Sequence, residues 1–102
     1  MSKINVAIIG GTGYTGVELI RLLSRHPHVT ISHLTSRSEK GRAVSEIFPS
    51  LLGVCDVVYS DMTDSVMDEI GKACDVVFFA TPHGVAMSHT PKLIAQGVKV
   101  ID

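Results

Sequence analysis

The sequence has no excess of charge of either sign: nine Lys and Arg residues stand against ten Asp and Glu residues, for a formal net charge of −1. A protein that binds a nucleic-acid backbone usually carries a marked basic excess. The sequence also lacks an apolar run of the roughly 18 residues that a membrane-spanning helix needs. We therefore expect neither a nucleic acid nor a membrane as a partner.

Cysteine is scarce as well, with only Cys55 and Cys74 in the chain and no C-x-x-C pair. This usage predicts neither a disulfide framework nor a zinc site and is typical of reduced thiols in a cytoplasmic protein. The histidines show no i, i+4 pairing with one another or with a carboxylate, so no metal is expected. The first residues lead directly into an apolar strand pattern without the apolar core of a signal peptide, which again predicts a cytoplasmic location.

The composition that remains is that of a globular domain. Of the 102 residues, 45 % are hydrophobic and 19 % are charged, which is enough apolar surface to form a core. A chain of this length forms one domain rather than two.

Apolar strand patterns alternate with helical patterns along the chain. Unbroken or alternating apolar runs predict strands over residues 4–9, 29–35, 56–59, 76–80 and 98–101. Helical spacing predicts helices over residues 14–25, 42–48 and 85–96, and a further helix that ends near residue 72. This order predicts an α/β fold, a doubly wound parallel sheet of the Rossmann type with helices on both faces.

Two positions add detail to this prediction. Thr63, Asp64 and Ser65 are N-cap candidates for the third helix, and Ser65 and Asp68 have the spacing of a capping box. The sequence stops at Asp102, directly after a strand of the central type, where a doubly wound domain does not usually finish. We therefore expect residues 1–102 to be part of a longer polypeptide.

A glycine-rich segment joins the first predicted strand to the first helix and contains G-x-G-x-x-G. After a buried strand and before an amphipathic helix, this pattern is typical of a dinucleotide-binding loop. The glycines allow a tight turn, close approach of a pyrophosphate and close helix packing, and the helix N-terminus offers N–H groups to the phosphates. A glycine turn selected only for packing is the alternative. The candidate cofactor-binding residues are Gly10, Gly11, Thr12, Gly13, Tyr14, Thr15 and Gly16.

The end of the second strand predicts which dinucleotide is bound. An Asp or Glu about 20 residues past the glycines would hold the ribose 2′-hydroxyl of NAD, and none is present at the strand end. Ser36, Arg37 and Ser38 stand there instead. A guanidinium can bind a 2′-phosphate through two N–H groups, so we expect NADP (NADPH) in preference to NAD.

Charged residues nearby point in both directions. Lys40 and Arg42 add positive charge to the same loop, whereas Glu39 favours NAD. Ordinary solvated loop charges are the alternative interpretation.

Thr81, Pro82 and His83 follow the fourth predicted strand and should open toward the same crevice as the glycine loop. We expect them to line the nicotinamide side of the site, with His83 as a contact residue rather than an acid–base group. The two cysteines precede predicted strands and so belong to the opposite edge of the sheet. No catalytic residue is therefore predicted in this chain.

Several further segments form a recognisable sequence pattern together with the glycine loop and its Tyr14. They are Glu18-Leu19, Arg25-His26-Pro27, Ser36-Arg37, Phe48-Pro49-Ser50-Leu51-Leu52-Gly53 and Val77-Phe78-Phe79-Ala80-Thr81-Pro82-His83-Gly84. In combination they resemble the N-terminal part of the N-acetyl-gamma-glutamyl-phosphate reductase family of arginine biosynthesis. Phe48 is a departure, since members often carry His before that proline.

The resemblance implies an oxidoreductase that reduces a small-molecule acyl phosphate to a semialdehyde through a cysteine thioester, with NADPH as the hydride source and a histidine as the acid–base group. It implies that residues 1–102 are the N-terminal part of the dinucleotide-binding domain. The cysteine and the histidine belong to a second, substrate domain absent from this chain, which should therefore be inactive alone. A homo-oligomer is expected at full length.

Two related enzymes and one protein of a different class remain as alternatives. The related aspartate-semialdehyde dehydrogenase and aminoadipyl-phosphate reductase share the fold, NADP and thioester chemistry. The loop with Tyr14 and the helix stop at residues 25–27 favour the N-acetyl-gamma-glutamyl-phosphate reductase family over aspartate-semialdehyde dehydrogenase. A non-catalytic dinucleotide-sensing module would carry the same loop without a downstream cysteine.

Overall fold

A computed structural model of the chain describes residues 4–10, 14–36, 39–51, 53, 55, 57–61, 63–80 and 85–101. Strands and helices alternate along these residues. They are β1 (Ile4–Ile9), α1 (Tyr14–Ser24), β2 (Val29–Thr35), α2 (Val44–Ile47) with a short 3-10 turn (Pro49–Leu51), β3 (Tyr59–Ser60), α3 (Asp64–Ala73), β4 (Val76–Phe79), α4 (Val85–Ala95) and β5 (Lys99–Ile101). None of the helices in these ranges has the length and apolar character needed to traverse a bilayer.

The strands form one parallel sheet in the order β3-β2-β1-β4-β5. β1 is central, with Ile9 opposite Thr35 of β2 on one side and Phe79 of β4 on the other. The chain therefore winds outward from β1 through β2 and β3, and then returns to the other side of β1 for β4 and β5. This confirms the predicted doubly wound sheet, with its topological switch point between β1 and β4.

Each face of the sheet has its own hydrophobic core. On one face, Ala7 and Ile9 pack with residues of α3, β4 and α4. On the other face, Val6 and Ile8 pack with residues of α1, α2 and β3. All four β1 side chains are at most 2 % exposed. A strand buried on both sides requires an unbroken apolar run, which explains why the sequence predicted β1 at both ends.

The middle of the chain departs from the prediction. α2 has four residues where residues 42–48 were expected, and β3 has two where residues 56–59 were expected, residue 56 being outside the described ranges. The N–H of Tyr59 donates to the carbonyl of Arg42 at 2.9 Å, and the N–H of Val44 donates to that of Val57 at 3.0 Å. The two segments are extended because they pair with each other, a non-local contact that local periodicity does not report.

The N-cap of α3 also differs from one expectation. The Thr63 hydroxyl accepts the N–H of Val66 at 3.2 Å, which makes Thr63 the cap. Ser65 lies inside the helix, and Asp68 contacts Lys92 of α4 at 2.5 Å. The capping box of Ser65 and Asp68 is therefore wrong, because Thr63 satisfies the first turn and leaves Asp68 to an ion pair between helices.

Candidate functional site

The ends of β1, β2 and β4 lie side by side at one edge of the sheet, which we call the carboxyl edge. This follows from the parallel pairing of β1 with both neighbours. α1 starts at Tyr14, soon after β1 ends, so its N-terminus lies at the same edge. In doubly wound sheets the ligand binds at this edge, at the switch point.

Gly10 is the first residue after β1 and adopts a left-handed conformation with a φ of 82°. Its N–H is shared between two acceptors of one residue, the Thr35 carbonyl at 3.1 Å and the Thr35 Oγ1 at 3.3 Å. Residues with a Cβ rarely adopt this φ, so glycine is required where the chain turns off the sheet. Gly11, Thr12 and Gly13 lie outside the described residues.

The N-terminus of α1 has the character of an anion site. Its first turn contains no acidic residue, so no carboxylate of that turn offsets the partial positive charge of the helix end. Thr15 is exposed, and Gly16 is buried, as expected for a glycine where the helix packs on the sheet. The backbone of Tyr14 begins the helix. The N–H groups of a first turn can bind phosphate oxygens.

Ser36 follows β2 and is 6 % exposed. Its N–H donates to the carbonyl of Ser60 at 3.0 Å, and its Oγ accepts the N–H of Glu39 at 3.2 Å. The first bond continues the parallel pairing of β2 with β3, and the second joins Glu39 to the residue that follows β2. Arg37 and Ser38 lie outside the described residues.

The charged residues of this loop form two separate groups. Arg42 contacts Glu39 at 3.3 Å and Glu46 at 3.4 Å. Lys40 contacts Asp61, beyond the end of β3, at 3.5 Å. These pairs are exposed and add little stability, but they redistribute charge. The carboxylate of Glu39, the residue whose charge favours NAD, contacts the guanidinium of Arg42.

The candidates after β4 complete the list of predicted site residues. The N–H of Ala80 donates to the carbonyl of Ile9 at 2.8 Å, which extends the pairing of β4 with β1 to the carboxyl edge. Thr81, Pro82 and His83 themselves lie outside the described residues. Among the described residues, the structure thus brings Gly10, the start of α1 and Ser36 to the same edge.

Cys74 lies at the C-terminus of α3, just before β4, and so at the opposite edge of the sheet, as predicted. Its Sγ is 3.3 Å from Ser32 Oγ and 3.5 Å from His33 Nδ1, and His33 Nε2 is 3.4 Å from Glu69 Oε1. Burial raises the pKa of the Cys74 thiol. A nucleophilic cysteine needs its thiolate, so this cluster does not provide one.

The sequence missed this cluster because it did not reveal a bulge in β2. Its alternation set Ser32 and His33 on opposite faces. In the structure Ile31 pairs with Val6 and His33 pairs with Ala7, so Ser32 is an extra residue. Both Ser32 and His33 therefore reach the same thiol. In the part of the chain that the structure describes, no group of three or more His, Cys, Asp and Glu side chains could hold a metal ion.

Comparison with known proteins gives close relatives for this chain. N-acetyl-gamma-glutamyl-phosphate reductase from Acinetobacter baylyi is 61 % identical over 99 residues, covering 97 % of this chain and 27 % of the relative. The protein of the same name from Psychrobacter arcticus is 62 % identical, covering 97 % of this chain and 28 % of the relative. The chain thus spans little more than a quarter of the length of the curated relatives it matches.

Solved structures share the fold. A probable aspartate-semialdehyde dehydrogenase from Pseudomonas aeruginosa matches with a TM-score of 0.74 and 26 % identity, covering 99 % of this chain and 28 % of that one. Aspartate semialdehyde dehydrogenase with NADP from Candida albicans matches with a TM-score of 0.71 and 24 % identity, covering 97 % and 29 %.

A family model described as the semialdehyde dehydrogenase, NAD binding domain matches residues 5–102. The match covers nearly the whole chain and agrees with the parallel sheet, the glycine turn after β1 and the helix N-terminus at the carboxyl edge. The chain belongs to the semialdehyde dehydrogenase NAD-binding domain family.

Proposed function

We propose that this chain is the NADP-binding part of an N-acetyl-gamma-glutamyl-phosphate reductase, an enzyme that reduces an acyl phosphate to a semialdehyde. The observation that carries the proposal is the identity of 61 % over 97 % of the chain with a relative of that name. The site at the carboxyl edge supports it independently, since its parts are those that a dinucleotide needs.

In this proposal the pyrophosphate binds between the glycine loop, residues 10–16, and the N-terminus of α1. Gly10 turns the chain off the sheet, and the first turn of α1, which contains no acid, offers N–H groups to the phosphate oxygens. The pyrophosphate can approach the backbone closely because glycine has no side chain.

The preference for NADP is assigned to Ser36, Arg37 and Ser38. Ser36 follows β2 at the position that a ribose 2′ substituent reaches in this fold, and its Oγ accepts the N–H of Glu39. The pairing of Glu39 with Arg42 supports this assignment, because a carboxylate engaged by a guanidinium is less suited to bind ribose hydroxyls.

Thr81, Pro82 and His83 are assigned to the nicotinamide side of the site. The bond from Ala80 to Ile9 supports this, since it brings the chain after β4 beside the exit of β1. NADPH, when bound, supplies the hydride that reduces the thioester. The cysteine that forms this thioester with the acyl group and releases phosphate, and the histidine that moves protons, are assigned to a substrate domain beyond this chain.

Calorimetric titration of the full-length protein with NADPH and with NADH tests the nucleotide assignment. We expect tighter binding of NADPH, and we expect Arg37→Glu to weaken it by about 10-fold or more while leaving NADH binding little changed, since hydrogen bonds to charged groups contribute about 1.5–3 kcal/mol. Arg25→Glu, an exposed charge reversal just beyond the C-terminus of α1, is the matched control and should change neither.

Each unfavourable result has a distinct meaning. Equal affinity for the two dinucleotides would overturn the assignment of Arg37, and no affinity for either would overturn the site itself. Phosphate-dependent reduction of NADP by N-acetylglutamate semialdehyde, with aspartate semialdehyde as the competing substrate, tests the reductase. Activity only with aspartate semialdehyde would assign the chain to the dehydrogenase instead.

A further inference from the structure

Thr35, the last residue of β2, makes an unusual contact with the start of the glycine loop. The N–H of Gly10 is 3.1 Å from the Thr35 carbonyl and 3.3 Å from the Thr35 hydroxyl. The carbonyl bond continues the parallel pairing of β1 with β2 and would form with any residue at this position. The hydroxyl bond requires Thr or Ser.

The burial of the Thr35 hydroxyl indicates that its hydrogen bond is important, because burying a hydroxyl costs free energy. Thr35 is 1 % exposed and lies at the carboxyl edge of a strand whose other buried residues, Ile31 and Leu34, are apolar. Valine has nearly the same shape and suits a buried strand better, because a buried hydroxyl is unfavourable unless it forms a hydrogen bond. Here the hydroxyl bonds to the residue with which the chain leaves the sheet.

The orientation of the Gly10 peptide decides where the loop goes. Gly10 has a φ of 82°, a region that glycine enters and leaves with little cost. The two acceptors on the Gly10 N–H fix the plane of the Ile9–Gly10 peptide, with its N–H toward β2, and so fix the point from which the loop leaves the sheet. The next residue, Ser36, acts in the same way on the following loop, where its Oγ accepts the N–H of Glu39.

We infer that Thr35 is a positioning residue for the dinucleotide site. Its buried hydroxyl fixes Gly10, and through Gly10 the direction in which the glycine loop leaves β1 toward the N-terminus of α1. The inference rests on the proposed function, because the loop it positions is the one assigned to the pyrophosphate. Since the pyrophosphate is common to both dinucleotides, Thr35 affects the affinity for NADPH and NADH alike, unlike Arg37.

The test compares Thr35→Val and Thr35→Ser in the full-length protein by calorimetry with NADPH and with NADH. Thr35→Val removes the hydroxyl bond and should weaken both dinucleotides by the same factor, about 5-fold, as expected for one net hydrogen bond. Thr35→Ser retains the hydroxyl and should restore wild-type affinity. Hydrogen exchange without cofactor gives a second measurement, in which amides from Gly10 onward should exchange faster in Thr35→Val only.

Gly97→Ala is the control for a purely structural effect. Gly97 has a φ of 88° and follows α4 at the opposite edge of the sheet, so its substitution lowers stability without touching the loop. If Thr35→Val lost stability but bound both dinucleotides as the wild type does, the inference would be overturned. If the wild type binds neither dinucleotide, the proposed function is overturned. If the wild type binds them and Thr35→Val binds them with the same affinity, only the role of Thr35 is overturned.

Discussion

Gly71 is buried inside α3 because the side-chain amide of Gln96 covers it. A Cβ at this position would meet the end of that side chain, and no backbone atom is among its nearest contacts. Gln96 is exposed and can turn toward solvent. The glycine is therefore not required for close approach of two backbones.

We predict that Gly71→Ala stabilises the protein by up to about 1 kcal/mol, the difference in helix propensity between the two residues. Urea denaturation measures the change. The double variant Gly71→Ala with Gln96→Ala is the control, because it removes the side chain that must move. A loss of stability that persists in the double variant would mean that the backbone itself resists a Cβ.

At this scale the sequence was informative where the backbone imposes a residue type. A glycine was predicted where β1 turns into the loop, and Gly10 has the positive φ that requires it. The contact of Cys74 with Ser32 and His33 could not be predicted. It depends on one extra residue in β2, and a bulge changes which face each side chain occupies without changing the composition of the strand.

The start of α3 shows how a helix is fixed by a single side chain. Thr63 is extended at the N-cap and accepts the N–H of Val66 at 3.2 Å. Farther along the helix, Asp68 contacts Lys92, and this pair lowers the pKa of Asp68 and connects α3 to α4. The cap therefore acts on the first turn of α3, and the ion pair acts on the middle of the helix.

We predict that Thr63→Ala lowers the free energy of unfolding by about 1 kcal/mol, since the cap satisfies a first-turn N–H. Ser65→Ala, the matched substitution within the first turn, should change it by less than about 0.5 kcal/mol. Thermal and urea denaturation of both variants give the comparison. The reverse ranking would show that Ser65 caps the helix.

Elements with strong local patterns were predicted well, and those made by pairing were not. β1 and β2 match their predicted bounds because burial on both faces or alternation with β-branched residues is local information. β3 has only two residues, since residues 57–58 pair antiparallel with the segment before α2 instead of extending the sheet. Such pairing between distant segments leaves no periodic signal in either one.

The candidate site exists only at the scale of the whole molecule. Gly10 and Ser36 are far apart in sequence and become neighbours because β1 and β2 pair in parallel register, with Ile9 opposite Thr35. The motifs could be found in the sequence because each follows a strand. The hydroxyl of Thr35 could not be assigned a partner, because that required the register of two strands.

The ionisation of Tyr59 makes the stability of the whole fold depend on pH in the alkaline range. It is 1 % exposed, and burial, followed by the nearby Cys55 and Glu39, raises its pKa to about 12. In the unfolded chain a tyrosine loses its proton near pH 10. Between these values the unfolded state binds fewer protons than the folded state, so stability is fully present below about pH 10 and is lost as the pH rises.

We predict that the wild type loses about 2 kcal/mol more than Tyr59→Phe between about pH 9 and about pH 11.5, because only the wild type must keep a phenol protonated in the core. Urea denaturation across this range measures both proteins. Other groups, including the buried Cys74, titrate in both and cancel in the difference. Below about pH 9 the two curves should run parallel, offset only by the loss of the hydroxyl. Parallel curves up to about pH 11.5 would mean that Tyr59 ionises in the folded state as readily as in water, which contradicts its burial beside β2.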